Sequence, residues 1–250
     1  MMKREAWIRL LIVALFAVAI ELLCRTKVIP PTVLIPPSDM AAELLAILRS
    51  GELNADIVST FGNILIASVI VAVLGFAVGV VIHALPSLRA AVEPLLASYY
   101  AIPTFMFYPV FIVLLGVGSA PIIAIAVLLA IVAMITATLD GLDRIPAVLR
   151  KTARMHHLSR LRTSVLIELP AASPYLFTGV KLAVAYSFIG VIASEFILSG
   201  SGLGYAIAYA YNNFENRKMY ALMLLVLAAA TLVNSALNAV DFRLQARRLR

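Results

Sequence analysis

An all-α membrane protein with six transmembrane helices is the fold class this sequence predicts, and three observations carry it. First, the 250 residues are 63% hydrophobic and only 13% charged, with a mean hydropathy of +1.02. Soluble domains are about half apolar and about one quarter charged, so a water-soluble globule is excluded. Second, six runs approach the roughly 20 apolar residues that cross about 30 Å of hydrocarbon. They occupy residues 8–23, 61–82, 95–115, 120–139, 172–198 and 220–240. Unbroken runs of Leu, Val, Ile and Ala fit helices, whereas a barrel would show short alternating segments. Third, the segments joining the runs share the basic residues unequally. With the amino terminus inside, the inner segments hold Lys3, Arg4, Arg9, Arg89, Arg144, Arg150, Lys151, Arg154, Arg160, Arg162, Arg243, Arg247, Arg248 and Arg250, fourteen of the 20. That asymmetry predicts a multi-pass membrane protein with both termini in the cytoplasm. The net charge of +7 is therefore a topology signal and not a nucleic-acid footprint. A single transmembrane domain over 1–250 is expected.

The first run follows Lys3 and Arg4 as a signal peptide would, but residues 21–25 offer no small-residue cleavage pattern, so an uncleaved helix is expected. The lone Cys24 forbids an internal disulfide and is read as packing. The prolines from Pro30 to Pro37 predict extended chain. Ser38 is then placed to cap an amphipathic helix over residues 40–48, which Gly51 ends. In the second run Gly75 and Gly79, with Ala67 and Val71 upstream, make a face on which another helix can pack. Pro86 and Pro94 bracket a short cytoplasmic turn. Pro103 and Pro109 predict that the third run kinks or begins as a broken helix. In the last run Asn234 and Asn238 stand four apart, as interhelical hydrogen-bonding groups do.

Residues 140–170 form the longest polar interruption. Asp140 and Asp143 ahead of Pro146 predict a helix start, and that helix runs to about His156. Leu158 and Ser159 re-aim the chain into a second basic segment ending at Pro170. A helix-turn-helix of this kind, projecting into the cytoplasm, is a docking surface for another protein.

Here the chain resembles the membrane subunit of binding-protein-dependent ABC importers. That family carries a signature of Glu-Ala-Ala, three residues, Gly, nine residues, Ile, any residue, Leu-Pro. This sequence has Lys151, Thr152 and Ala153, then His157, then Ile167, Leu169 and Pro170 at the same spacing. Further segments look like the nitrate, sulfonate and taurine branch: residues 35–38, 93–95 and 102–103, 174–179, 189–191 and 201–205. The resemblance implies a type I importer permease fold whose loop 140–170 forms coupling helices. The implied coupling residues are Lys151, Ala153, Arg154, His157, Leu158 and Ser159. It also implies partners: two ABC ATPase subunits that bind ATP and Mg, a second permease copy or close relative, and a periplasmic substrate-binding protein. Lys151 and His157 replace the signature Glu and Gly. A compensating change in the cognate ATPase is expected opposite Lys151, and a left-handed backbone is expected at His157.

The chain has no Walker A loop, no HExxH and no cysteine–histidine cluster, so no catalytic residue, metal site or cofactor of its own is expected. The adjacent His156 and His157 point apart on a helix and make no metal pair. Charged residues inside spans default to function. Lys181 and Glu195 lie on one stripe of the fifth run, about 21 Å apart along the axis and only about 40° apart around it. Lys181 is read either as attracting an anion or as pairing with another helix, and Glu195 as lying at the outer interface. With Tyr100, Phe105 and Ser187 these two are the candidate translocation path, although an aromatic belt also accounts for the tyrosine and phenylalanine. The function expected is an importer permease for a small anionic or organic solute. An ion-gradient-driven carrier would instead show inverted repeats and paired intramembrane acids. A non-transporting membrane anchor would leave the charged stripe without a purpose.

Overall fold

The computed structural model describes residues 2–248. Arg250 of the inner basic set lies outside the described residues, as do the side chains of Lys3, Arg4, Arg9, Arg160, Arg243, Arg247 and Arg248. The described chain is helical throughout: α1 (Met2–Arg25), α2 (Pro37–Ser50), α3 (Asn54–Ala84), α4 (Pro86–Ser98), α5 (Tyr108–Leu115), α6 (Ser119–Asp143), α7 (Ala147–Met155), α8 (Arg160–Thr163), α9 (Leu169–Leu198), α10 (Leu203–Asn212) and α11 (Asn216–Arg248).

Among the described residues, four helical stretches are long and apolar enough to cross a membrane: Asn54–Ala84, Ser119–Asp143, Leu161–Leu198 and Asn216–Phe242. The stretch Pro86–Ala101 with Thr104–Leu115, bent by 93°, makes a fifth if it is one span. The first predicted run is helical as α1. The break in the third run has the expected cause. Ile102 is extended ahead of Pro103, as a residue preceding proline prefers, and Pro109 enters the first turn of α5, where no N–H is needed.

Three local expectations are corrected. Residues 30–37 are not wholly extended, because the Val33 and Leu34 N–H groups turn back to the Pro30 carbonyl at 2.9 and 3.2 Å. Proline's fixed φ suits a turn as well as extended chain. Pro36, not Ser38, caps α2, with Pro37 in its first turn. Ser38 instead donates its backbone N–H and hydroxyl to Glu21 at 3.0 and 2.7 Å. The turn bracketed by Pro86 and Pro94 is helix α4, which starts at Pro86 and holds Pro94 inside it. Gly51 does end α2, in the left-handed conformation (φ 71°) that its missing side chain permits.

Two compact units divide the chain, Met1–Val58 with Phe196–Ala229, and Ser59–Glu195 with Ala230–Arg250. In the first, polar ties join distant segments. Glu21 accepts from Arg25 at 2.6 Å and from Ser38, and Lys218 meets Glu52 at 2.8 Å. Asp56 accepts the Gly202 N–H at 2.7 Å, fixing the glycine-rich segment 200–204 as the entry to α10.

In the second unit α6 is the packing centre. Its side chains meet glycines of its neighbours: a Cβ added at Gly75 would lie 2.7 Å from the Met134 Cβ, and one at Gly79 2.7 Å from the Thr138 Cβ. On the other side a Cβ at Gly190 would lie 2.6 Å from the Ala126 Cα. The predicted small-residue face of α3 therefore packs on α6, and α9 packs on α6 by the same device. Ile64, Ala67, Tyr108, Ile122, Ile125, Ala126, Phe188 and Val191 close the core around this crossing.

Candidate functional site

The loop between α6 and α9 is built by local chemistry. Ile145 precedes proline, a position that disfavours the helical region, and α6 ends at Asp143 while α7 begins after Pro146. Asp140 and Asp143 thus close α6 and do not open the next helix as expected. Asp143 there accepts two bonds from Arg89, at 2.8 and 2.7 Å, and lies 3.3 Å from the His83 Nε2.

Helix α7 stops in a Schellman motif: the His157 N–H donates to the Arg154 carbonyl and the Leu158 N–H to the Ala153 carbonyl, both at 3.0 Å. This motif needs a left-handed residue at its turn, and His157 takes that conformation with φ 47°. Ser159 then caps α8, its hydroxyl accepting the Arg162 N–H at 3.4 Å. From Ser164 to Glu168 the chain widens into a π turn, in which the Leu169 N–H reaches back to the Ser164 carbonyl. The wide turn lets Pro170 enter α9 without breaking the run Leu161–Leu198.

Arg150 ties the loop to α6 and to the π turn ahead of α9. Its Nη2 donates to the Leu142 carbonyl at 3.0 Å, and its Nε lies 3.5 Å from Glu168. Ala153 is buried against this frame, while Lys151, Arg154, Met155 and His157 are exposed. The six expected coupling residues therefore form one continuous feature, namely the last turn of α7, its cap and the entry to α8.

A second polar cluster lies where α9 meets the end of α11. The Lys181 Nζ donates to the Asp241 Oδ2 at 2.6 Å and to the Asn238 Oδ1 at 3.4 Å, with the Phe177 ring centroid 5.9 Å away. Of the two readings of Lys181, pairing with another helix is the one observed. Asn238 is an interhelical partner as expected. Asp241 was not foreseen, because it stands at the edge of the last apolar run, 60 residues from its partner.

The family described as "Binding-protein-dependent transport system inner membrane component" matches residues 72–249, a stretch that contains both clusters. The chain belongs to this family. It is a transmembrane permease of the ABC-importer type. The permease is 26% identical over 187 residues to the nitrate import permease protein NrtB of Leptolyngbya laminosa, covering 75% of this chain and 67% of that one. It is 31% identical over 159 residues to a probable ABC transporter permease protein of Haemophilus influenzae, covering 62% and 65%. It is 29% identical over 143 residues to the bicarbonate transport system permease protein CmpB of Synechococcus elongatus, covering 57% and 51%. Its fold matches a chain of the MetNI methionine ABC transporter in an inward-facing conformation, with a TM-score of 0.68 at 19% identity over 77% of this chain and 95% of that one.

The five residues expected along a path are not gathered in the permease around one cavity. Tyr100 is half exposed and stacks on Tyr186, with ring centroids 6.0 Å apart. Phe105 packs against the core that includes Tyr108 and Phe188. Ser187 and Glu195 are buried, and Glu195 accepts the Thr60 hydroxyl at 2.8 Å. The carboxylate therefore sits inside the helix packing, held by a residue 135 positions earlier in the chain. Only Lys181 of the five borders a cleft of about 350 Å³ between α9 and α11, with Val184 and Phe188 beside it. The predicted stripe thus divides, Lys181 turning to α11 and Glu195 to α3.

Proposed function

We propose that this permease works by alternating access in an ATP-driven importer, moving a small anionic or organic solute. Two copies, or one with a close relative, form the path. A periplasmic binding protein delivers the solute, and two ATPase subunits holding ATP and Mg drive the cycle. The subunit lies in the bacterial inner membrane as one transmembrane domain, with both termini cytoplasmic. The observation that carries this reading is the loop at 144–168, exposed on one face and tied by Arg150 to α6 and to the π turn that leads into α9. A surface tied in this way to α6 and α9 can pass a push from a bound ATPase into the spans. The coupling contacts we assign are Lys151, Ala153, Arg154, His157, Leu158 and Ser159, and the path residues are Tyr100, Phe105, Lys181, Ser187 and Glu195. Anionic solutes are favoured by the relatives whose names give nitrate and bicarbonate. In the first unit, a cleft of about 910 Å³ lined by Arg25, Lys27, Asp39, Glu43, Phe214 and Arg217 offers mixed charge to a binding protein.

Co-purification with the cognate ATPase tests the coupling role. Met155 and Ser159 are exposed, so Met155→Asp with Ser159→Asp leaves the buried frame intact. Retention of the ATPase by wild type and its loss by the folded variant is the expected result. Equal retention by both would remove the loop from the coupling role.

A further inference from the structure

We infer that the cleft between α9 and α11 is a water-filled polar track for a solute bearing an anionic group, with Lys181 as its charged contact. This rests on the permease reading above and adds residues of α11 to the path at Lys181. The last span carries Thr231, Asn234, Asn238 and Asp241 at intervals of three and four residues. At 1.5 Å and 100° per residue they fall within about 80° of arc over about 15 Å of helix. The opposite side of α11 is apolar, with Leu232, Ala236 and Val240 at four-residue spacing. Thr231, Asn234 and Ser235 are exposed, and all three line the cleft.

Polar side chains in a span do not face hydrocarbon, where nothing satisfies them; they face water or protein. The cleft of about 350 Å³ is apolar on its Val184, Phe188 and Val233 side, but Lys181, Thr231, Asn234 and Ser235 give it both the room and the polar partners that water needs. The track ends at the Lys181–Asp241 pair, whose side chains are 20% and 13% exposed. Asp241 compensates the ammonium at 2.6 Å, while the ammonium retains a donor for a passing anion. A contact balanced in this way holds an anion weakly enough to release it, as conduction requires. The amides and hydroxyls above it donate to the same oxygens.

Thiol accessibility tests this directly. The only native cysteine is buried Cys24, so Cys24→Ser gives a silent background. Thr231→Cys and Asn234→Cys should react with a sulfonate-bearing methanethiosulfonate at least about tenfold faster than Leu232→Cys and Ala236→Cys, because a thiol in lipid does not ionise. Lys181→Gln, which removes the ammonium, should slow that anionic reagent relative to its trimethylammonium counterpart. Two track positions are tested so that loss of one variant leaves the result readable. Unreactive thiols at both, with copy-to-copy disulfides forming there, would make the stripe an interface and overturn the inference. Uniform reactivity around α11, or no effect of Lys181→Gln, would overturn it as well. The readout needs no ATPase, so failure of ATP-driven uptake with the thiol pattern intact would strike the importer reading and leave the track standing.

Discussion

Adding one methyl group at Gly190 should separate two helices, whereas the same change at Gly62 should strengthen one. Both glycines lie inside helices, where alanine gains about 0.5–1 kcal/mol from lower chain entropy. A Cβ at Gly62 has nothing within 4 Å, so only that gain remains. A Cβ at Gly190 would fall 2.6 Å from the Ala126 Cα and 2.9 Å from its Cβ. Carbon atoms pack at about 3.5–4.0 Å, so α9 must move away from α6 by about 1 Å. Neither Ala126 atom can rotate aside. Overpacking of this kind costs about 1–3 kcal/mol; with two unyielding atoms of Ala126 in the way the cost is about 2 kcal/mol, which outweighs the helical gain and leaves Gly190→Ala destabilised by about 1 kcal/mol. Gly75→Ala, meeting the Met134 Cβ at 2.7 Å, should fall between the two. Equilibrium unfolding in mixed micelles reads the series. Gly190→Ala as stable as wild type, or Gly62→Ala the most damaging of the three, would refute close packing of α9 on α6 at Gly190.

Three further outcomes follow from the same geometry. His157→Gly should stabilise the folded loop by about 1 kcal/mol by relieving the left-handed histidine, while His157→Val should destabilise it; unfolding midpoints decide. Asp241→Leu alone leaves the Lys181 ammonium uncompensated and should cost about 3 kcal/mol, much of which Lys181→Met should restore in the double variant; a thermodynamic cycle showing simple additivity would argue against a pair. Asp56→Ala removes the carboxylate that accepts the Gly202 N–H and should cost about 2 kcal/mol, with faster amide exchange confined to the start of α10.

Much of the fold was legible because a lipid-facing helix declares itself by length and hydropathy alone. The broken third run was legible for a different reason, since Pro103 and Pro109 act on their immediate neighbours. The turn at His157 was legible from signature spacing, and its left-handed backbone followed from the glycine it replaces. What escaped notice depended on partners remote in sequence. Asp241 looked like a span terminus until Lys181 reached it, and Glu195 looked interfacial until Thr60 bonded to it. Asp140 and Asp143 misled because acidic residues ahead of a proline usually open a helix, whereas here Asp143 closes α6 and is held by Arg89. Ser38 misled in the same manner: α2 already begins at Pro37, so Ser38 lies inside its first turn and its hydroxyl donates to the Glu21 carboxylate.

Uptake into proteoliposomes holding the permease with its ATPase subunits and binding protein separates a driven importer from a gradient carrier. With ion gradients collapsed, anion accumulation should require ATP and should stop in the Met155→Asp, Ser159→Asp variant. Accumulation that follows an imposed gradient without ATP, and survives that variant, would contradict the importer mechanism.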